Sequence, residues 1–169
     1  MTVFSDTFPT PLGPFSVAVD TTGALVATAF GPAPRLRDRA RYCHIIDDNR
    51  PTTLVREQIL AWFAGERLAF DLPLAPRGTP FQQRVWSAMQ RIPFGTTRSY
   101  GELAAALGAP QAARAVGRAN ATNPICLVIP CHRVIGTDGS LTGFAFGEDL
   151  KRRLLQHERA MARLAVGAS

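Results

Sequence analysis

The chain has 169 residues, 46% hydrophobic and 19% charged, enough for a real core in one domain or two small ones and too apolar for a disordered segment. Three cysteines at irregular spacing exclude a disulfide framework, and no apolar stretch is long enough to span a bilayer. Residues 1–6 lack the basic start and apolar run of a signal peptide, so a soluble, cytoplasmic protein without membrane association is expected. The net charge of +6 is uneven: residues 1–77 carry eight Arg against eight Asp or Glu, and residues 78–169 carry ten Arg and one Lys against five acids. A basic half beside a neutral half points to a polyanionic partner, most often nucleic acid. Solubility in an arginine-rich chain is the plainer reading, and it is favoured by a single lysine among nineteen basic residues.

The first third reads as β. Phe15–Val19 alternates, Thr21-Thr22-Gly23 turns, and residues 24–30 return as a second strand. Gly31-Pro32-Ala33-Pro34 breaks the pattern, and the charged stretch 35–50 reads as a surface loop or short helix. Thr52 or Thr53 caps a helix over 54–63, which Gly65 ends. An extended segment follows at 70–74, and Pro76-Arg77-Gly78 is the best domain boundary.

The second half reads mostly as helix. Thr79 caps a helix starting at Pro80, with Phe81, Val85, Trp86 and Met89 on one face, and Pro93-Phe94-Gly95 stops it. Ser99 caps a short helix over 100–107, Gly108-Ala109-Pro110 turns, and 111–120 is the next helix, a helix-turn-helix outline. That second helix is nearly bare, with Ala112, Ala113, Ala115, Gly117 and Ala119, and Arg114 and Arg118 project from it four residues apart. A bare helix with two arginines suits a tight nucleic-acid groove and offers too few polar groups to read bases. A last helix spans about 148–159, with a frayed tail beyond it. The fold class expected is α/β in the broad α+β sense: a small β-sheet domain with a helix at 1–77, and a mostly helical domain with a helix-turn-helix at 78–169.

Between these helices lies Ile129-Pro130-Cys131-His132-Arg133-Val134. A cysteine is a strong nucleophile as the thiolate, which a neighbouring histidine or cation favours, and this segment supplies both. A lone Cys-His pair is more often core than chemistry. Cys126, in the apolar run 124–129 without a polar neighbour, reads as core, and Cys43 beside His44 lacks the further ligands of a zinc site, so no metal is expected.

These segments together resemble the O6-alkylguanine-DNA alkyltransferases, also called methylated-DNA–protein-cysteine methyltransferases. The resemblance runs from about Gly78 to Glu158 and is carried by residues 79–86, Ile92-Pro93-Phe94-Gly95, Ser99-Tyr100, residues 113–117, Asn123-Pro124 and residues 129–134, with a weaker echo at 10–14. It implies DNA repair by direct, stoichiometric transfer of an alkyl group from O6-alkylguanine, and also O4-alkylthymine, to Cys131, with base flipping and irreversible self-inactivation. In that scheme Cys131 is the acceptor, His132 takes its proton through a water, Glu158 orients the histidine, and Asn123 braces the turn between recognition helix and active-site strand. Tyr100 contacts the flipped guanine and helps a proton reach the leaving base, and Arg114 enters the duplex in its place. Arg118, Asn120, Arg133, Val134, Phe144 and Ala145 complete the expected substrate- and DNA-binding set. The implied partner is double-stranded DNA bearing alkylated guanine, bound through the minor groove with little sequence specificity. No cofactor is implied, and the protein is expected to be a monomer, with cooperative binding along DNA left open. Two departures stand out: Phe144 where the family usually has tyrosine, and Phe146 where many members have a small residue. A base-flipping module without transfer and a cysteine hydrolase are the rivals, and the presence of Cys131 argues against the first.

Overall fold

The structure is a computed structural model that describes residues 1–40 and 43–167. It divides into two compact units, one formed by Met1–Arg77 with Pro124–Cys126, the other by Gly78–Asn123 and the chain from Leu127 onward. The fold is α+β, with a small mixed sheet and helices.

In the first unit β1 (Thr2–Thr10), β2 (Gly13–Asp20) and β3 (Leu25–Phe30) form an antiparallel meander, and β4 (His44–Asp47) adds in parallel to β1, giving the order β3-β2-β1-β4. The β1–β2 turn is tied by Thr10, whose hydroxyl donates to the Gly13 carbonyl at 2.7 Å and accepts from Leu12 N at 3.1 Å. β1 and β4 are strands that the sequence reading did not anticipate. Both are mixed in polarity: β1 buries Ser5 and Asp6 beside Val3 and Phe8, so apolar alternation alone misses it. The stretch 35–50, read as a surface loop or short helix, is entered by the short helix α1 (Ala33–Arg39), and its Arg41 and Tyr42 lie outside the described residues. α2 (Thr53–Phe63) buries Val55, Ile59, Trp62 and Phe63. Thr52 is its N-cap residue, but its hydroxyl does not cap the helix; it donates to Asp6 Oδ2 at 3.0 Å and to the Asn49 carbonyl at 3.1 Å. Phe15 anchors this core, edge-on to Phe30 at 4.9 Å.

In the second unit α3 (Pro80–Met89) and α4 (Tyr100–Ala106) both start with full capping boxes, Thr79 with Gln82 and Ser99 with Glu102. A 3₁₀ turn (Pro110–Ala112) leads from α4 into α5 (Ala113–Ala121), so the second helix of the helix-turn-helix starts later than its alanines suggest. Trp86 locks α3 to α5 by donating its indole N–H to the Ala119 carbonyl at 2.8 Å. The apolar run into Cys131 is not a strand: it passes through turns into a 3₁₀ helix (Cys131–Arg133), and only Val134–Ile135, β6, pairs with β5 (Arg98–Ser99). α6 (Glu148–Gly167) does not fray after Arg159. Its Ala, Arg and Leu residues are strong helix formers, and Ala162 packs where a side chain at Gly95 would clash at 2.9 Å. Among the described residues no helix is long and apolar enough to cross a membrane.

Candidate active site

The site is built on the 3₁₀ turn Cys131–Arg133, whose three residues are all buried. The turn is held from within: Cys131 N donates to the Ile129 carbonyl at 2.8 Å, and Arg133 N donates to the Pro130 carbonyl at 3.0 Å. Asn123, just past the C-cap of α5, donates its Nδ2 to the same Ile129 carbonyl at 2.8 Å, so one carbonyl collects both bonds. Between them Leu127 takes a left-handed backbone at φ +73°, the only non-glycine residue to do so among those described. Such a conformation costs on the order of 1–3 kcal/mol and persists only where the surroundings over-determine it.

The structure brings Glu158 on α6 to His132, Nε2 to Oε2 at 2.9 Å, although the two are twenty-six residues apart and both wholly buried. Arg133, expected at the DNA surface, turns inward instead. Its Nε donates to Glu158 Oε1 at 2.9 Å and Oε2 at 3.1 Å, its Nη2 to Oε2 at 2.8 Å, and its Nη1 to the Ile92 carbonyl at 2.7 Å. A buried guanidinium needs such partners, and a carboxylate supplies a matching fork. Burial alone would push the Glu158 carboxyl up, but His132 and Arg133 outweigh it and hold it at about 2. Burial pushes the His132 ring down, against the attraction of Glu158 and with the help of Arg133 and Lys151, so at neutral pH the ring is neutral and Arg133 is the counter-ion of Glu158.

Around this core lie the other residues singled out from the sequence. Tyr100 is half-buried, and its hydroxyl donates to the Thr142 carbonyl at 2.7 Å. Burial and the nearby Cys131 push its phenol up. Asn120 is buried on α5, and Val134 is wholly buried, its side chain committed to the core. Arg114 and Arg118 are exposed on α5, and Ala145 is exposed in the 140–147 loop. Phe144 is buried and meets Phe146 edge-on at 5.8 Å. Gly143 in this loop has φ +81°, and a Cβ there would lie 2.6 Å from the Tyr100 hydroxyl, so only glycine allows the loop to close on the ring.

Sequence reasoning missed Lys151. It is fully buried on α6, with Nζ donating to the Val134 carbonyl at 2.5 Å and the Thr142 carbonyl at 3.4 Å, and it lies 5.9 Å from both the Tyr100 and Phe144 ring centres. Its one available signal was compositional: it is the chain's single lysine. Cys126 is buried as expected but has a polar neighbour, the Thr28 hydroxyl, at 3.1 Å from its sulfur. Among the described residues no group of three His, Cys, Asp or Glu could hold a metal ion.

A family model described as "6-O-methylguanine DNA methyltransferase, DNA binding domain" matches residues 80–160. A methylated-DNA–protein-cysteine methyltransferase from Methanosarcina acetivorans is 42% identical over 151 residues, covering 89% of this chain and 95% of the relative. One of the same name from Mycobacterium tuberculosis is 58% identical over 106 residues, 63% of this chain, and the match spans 64% of that relative's length. Among solved structures, that of M. tuberculosis OGT in complex with DNA superposes with a TM-score of 0.84 at 43% identity, covering 94% of each chain.

Proposed function

The chain belongs to the methylated-DNA–protein-cysteine methyltransferase family, and from that premise we propose that it repairs DNA by moving an alkyl group from the O6 of guanine to Cys131. The observation that carries the reading is the buried pair of His132 and Glu158, 2.9 Å apart, set directly beside the cysteine. Nucleophile, base and orienter are the components that activate a thiol. Glu158 engages Nε2 of the ring, so Nδ1 is the nitrogen that takes the thiol proton, through a water. The thiolate then attacks the alkyl carbon: a carbon–sulfur bond forms, the carbon–O6 bond breaks, and the electron pair leaves with guanine, which gains a proton. Tyr100, with its phenol pushed up and therefore protonated at neutral pH, is the group that passes that proton on. The product is a thioether with no easy leaving path, so each molecule acts once.

An alkyl group on O6 cannot be reached inside the stack, so the base must be flipped out. The exposed Arg114 and Arg118 on a helix of small residues suit entry into a minor groove, with Arg114 filling the gap and little sequence read. O4-alkylthymine presents the same bond to the thiolate and is a second substrate. Phe144, lacking a hydroxyl, offers the flipped base an apolar wall and no hydrogen bond. The protein acts as a monomer and needs no cofactor.

The test is incubation with duplex DNA containing O6-methylguanine, followed by mass spectrometry of the Cys131 peptide. One methyl group on Cys131 per repaired lesion is expected, and Cys131→Ser should abolish transfer while leaving DNA binding largely intact. Unrepaired DNA beside an unmodified peptide would sink the reading.

A further inference from the structure

We propose that Arg133 is a positioning residue of the acceptor site, its buried guanidinium supplying the fixed positive charge that keeps Glu158 ionised while His132 remains the neutral base. This rests on the reading of Cys131 as acceptor and His132 as its base.

The geometry is that of a counter-ion. Three of the bonds to the Glu158 carboxylate come from Arg133, at 2.8 to 3.1 Å, and Oε2 is shared between Arg133 Nη2 and His132 Nε2. A backbone donor, Gly95 N, stands off at 3.5 Å. The guanidinium is itself anchored to the Ile92 carbonyl at 2.7 Å and lies 5.6 Å from the Phe94 ring centre, so its place is set by the α3–β5 connection as well as by α6.

A buried carboxylate without a counter-ion draws a proton onto the nearest group able to take one. Arginine does not give up its charge, so it can neutralise Glu158 permanently. The charged groups that bear on His132 are Glu158 and Lys151 from α6 and Arg133 from its own turn, with Cys131 adjacent in the chain. Glu158 favours a charged ring, whereas Arg133 and Lys151 oppose it. Without Arg133, the pull of Glu158 is opposed by burial and Lys151 but no longer by the guanidinium. The ring then holds its proton to higher pH, and the neutral form that can accept the thiol proton is depleted toward neutral pH.

The test is the rate of Cys131 alkylation by duplex O6-methylguanine between about pH 5 and 8, for the wild type, Arg133→Lys and Arg133→Gln. A nearby charge moves a pKa by about 1–3 units, so the lower limb of the Arg133→Gln profile should move up by about one pH unit or more. The Arg133→Lys limb, with the charge kept, should stay near that of the wild type. A purely structural role would lower the rates and leave the limb in place. Arg133→Gln with the wild-type limb, or Arg133→Lys displaced as far as Arg133→Gln, overturns the proposal. If Arg133→Gln does not fold, Arg133→Met takes its place, and if the wild type transfers no alkyl group (which is a failure of the proposed function), an NMR titration of His132 in the wild type and the charge-removing variant decides. A ring that titrates higher once the charge is removed supports the proposal, and one that titrates where the wild type does overturns it.

Discussion

Lys151 illustrates how much a single buried side chain can decide. Its ammonium is out of water, bonded to the carbonyls of Val134 and Thr142, which lie on opposite sides of the 136–139 turn. Lysine tolerates such a site because it can shed its proton, which arginine cannot do. Burial pushes its pKa from 10.5 down to about 8, against the opposing pull of Cys131 and Glu148. The folded state therefore carries a penalty of roughly 3 kcal/mol below pH 8, at about 1.4 kcal/mol per pH unit. Between about 8 and 10.5 the unfolded chain keeps a proton that the folded chain has released, so this contribution to stability rises with pH. Urea unfolding of the wild type and Lys151→Met over that range should show the wild type gaining on the variant by on the order of 2–3 kcal/mol. A difference independent of pH would refute the assignment. Nothing in the spacing around Lys151 announced this role, because burial of a long cation is a property of its neighbours.

Among the elements, those with strong local signals were legible and those defined by pairing were not. The capping residues Thr79 and Ser99 follow from sequence because a cap acts within one turn, and both make the expected bonds, Ser99 Oγ accepting from Glu102 N at 3.0 Å. Since α4 begins at Tyr100, this cap also fixes the start of the helix that carries that tyrosine. Ser99→Ala should cost about 1 kcal/mol of stability, measured by chemical denaturation, and an unchanged midpoint would show the cap to be redundant. By contrast β4 is a strand only because β1 lies beside it, with Thr2 opposite His44 and Ser5 opposite Asp47. The 3₁₀ turn at Cys131 likewise depends on a bond from Asn123, six residues before the carbonyl it holds.

For the whole molecule the decisive quantity is charge. All of the +6 excess falls within residues 78–169, and within it Arg133 and Lys151 are buried at the site and bound to partners there. The cations left for a phosphate backbone include Arg114 and Arg118, both exposed on α5. DNA affinity should fall linearly with salt on logarithmic axes, and Arg114→Ala and Arg118→Ala should each lower the slope by about 1 if the residue meets a phosphate. Fluorescence anisotropy on an unmodified duplex checks this. A variant with the wild-type slope would remove its arginine from the phosphate-contacting set.

From the sequence alone came the family resemblance, the cysteine followed by its histidine, the helix-turn-helix outline and the basic half, because each rests on local spacing or on summed charge. Tertiary structure decided which of these residues meet. It carried Glu158 across twenty-six residues to His132, turned Arg133 from an expected DNA contact into the partner of that carboxylate, and drew Lys151 in beneath Tyr100 and Phe144. The physical reason is the same in each case. The place of a charged side chain is set by the desolvation it suffers and the partners it finds, and those partners lie on other elements that only folding brings near.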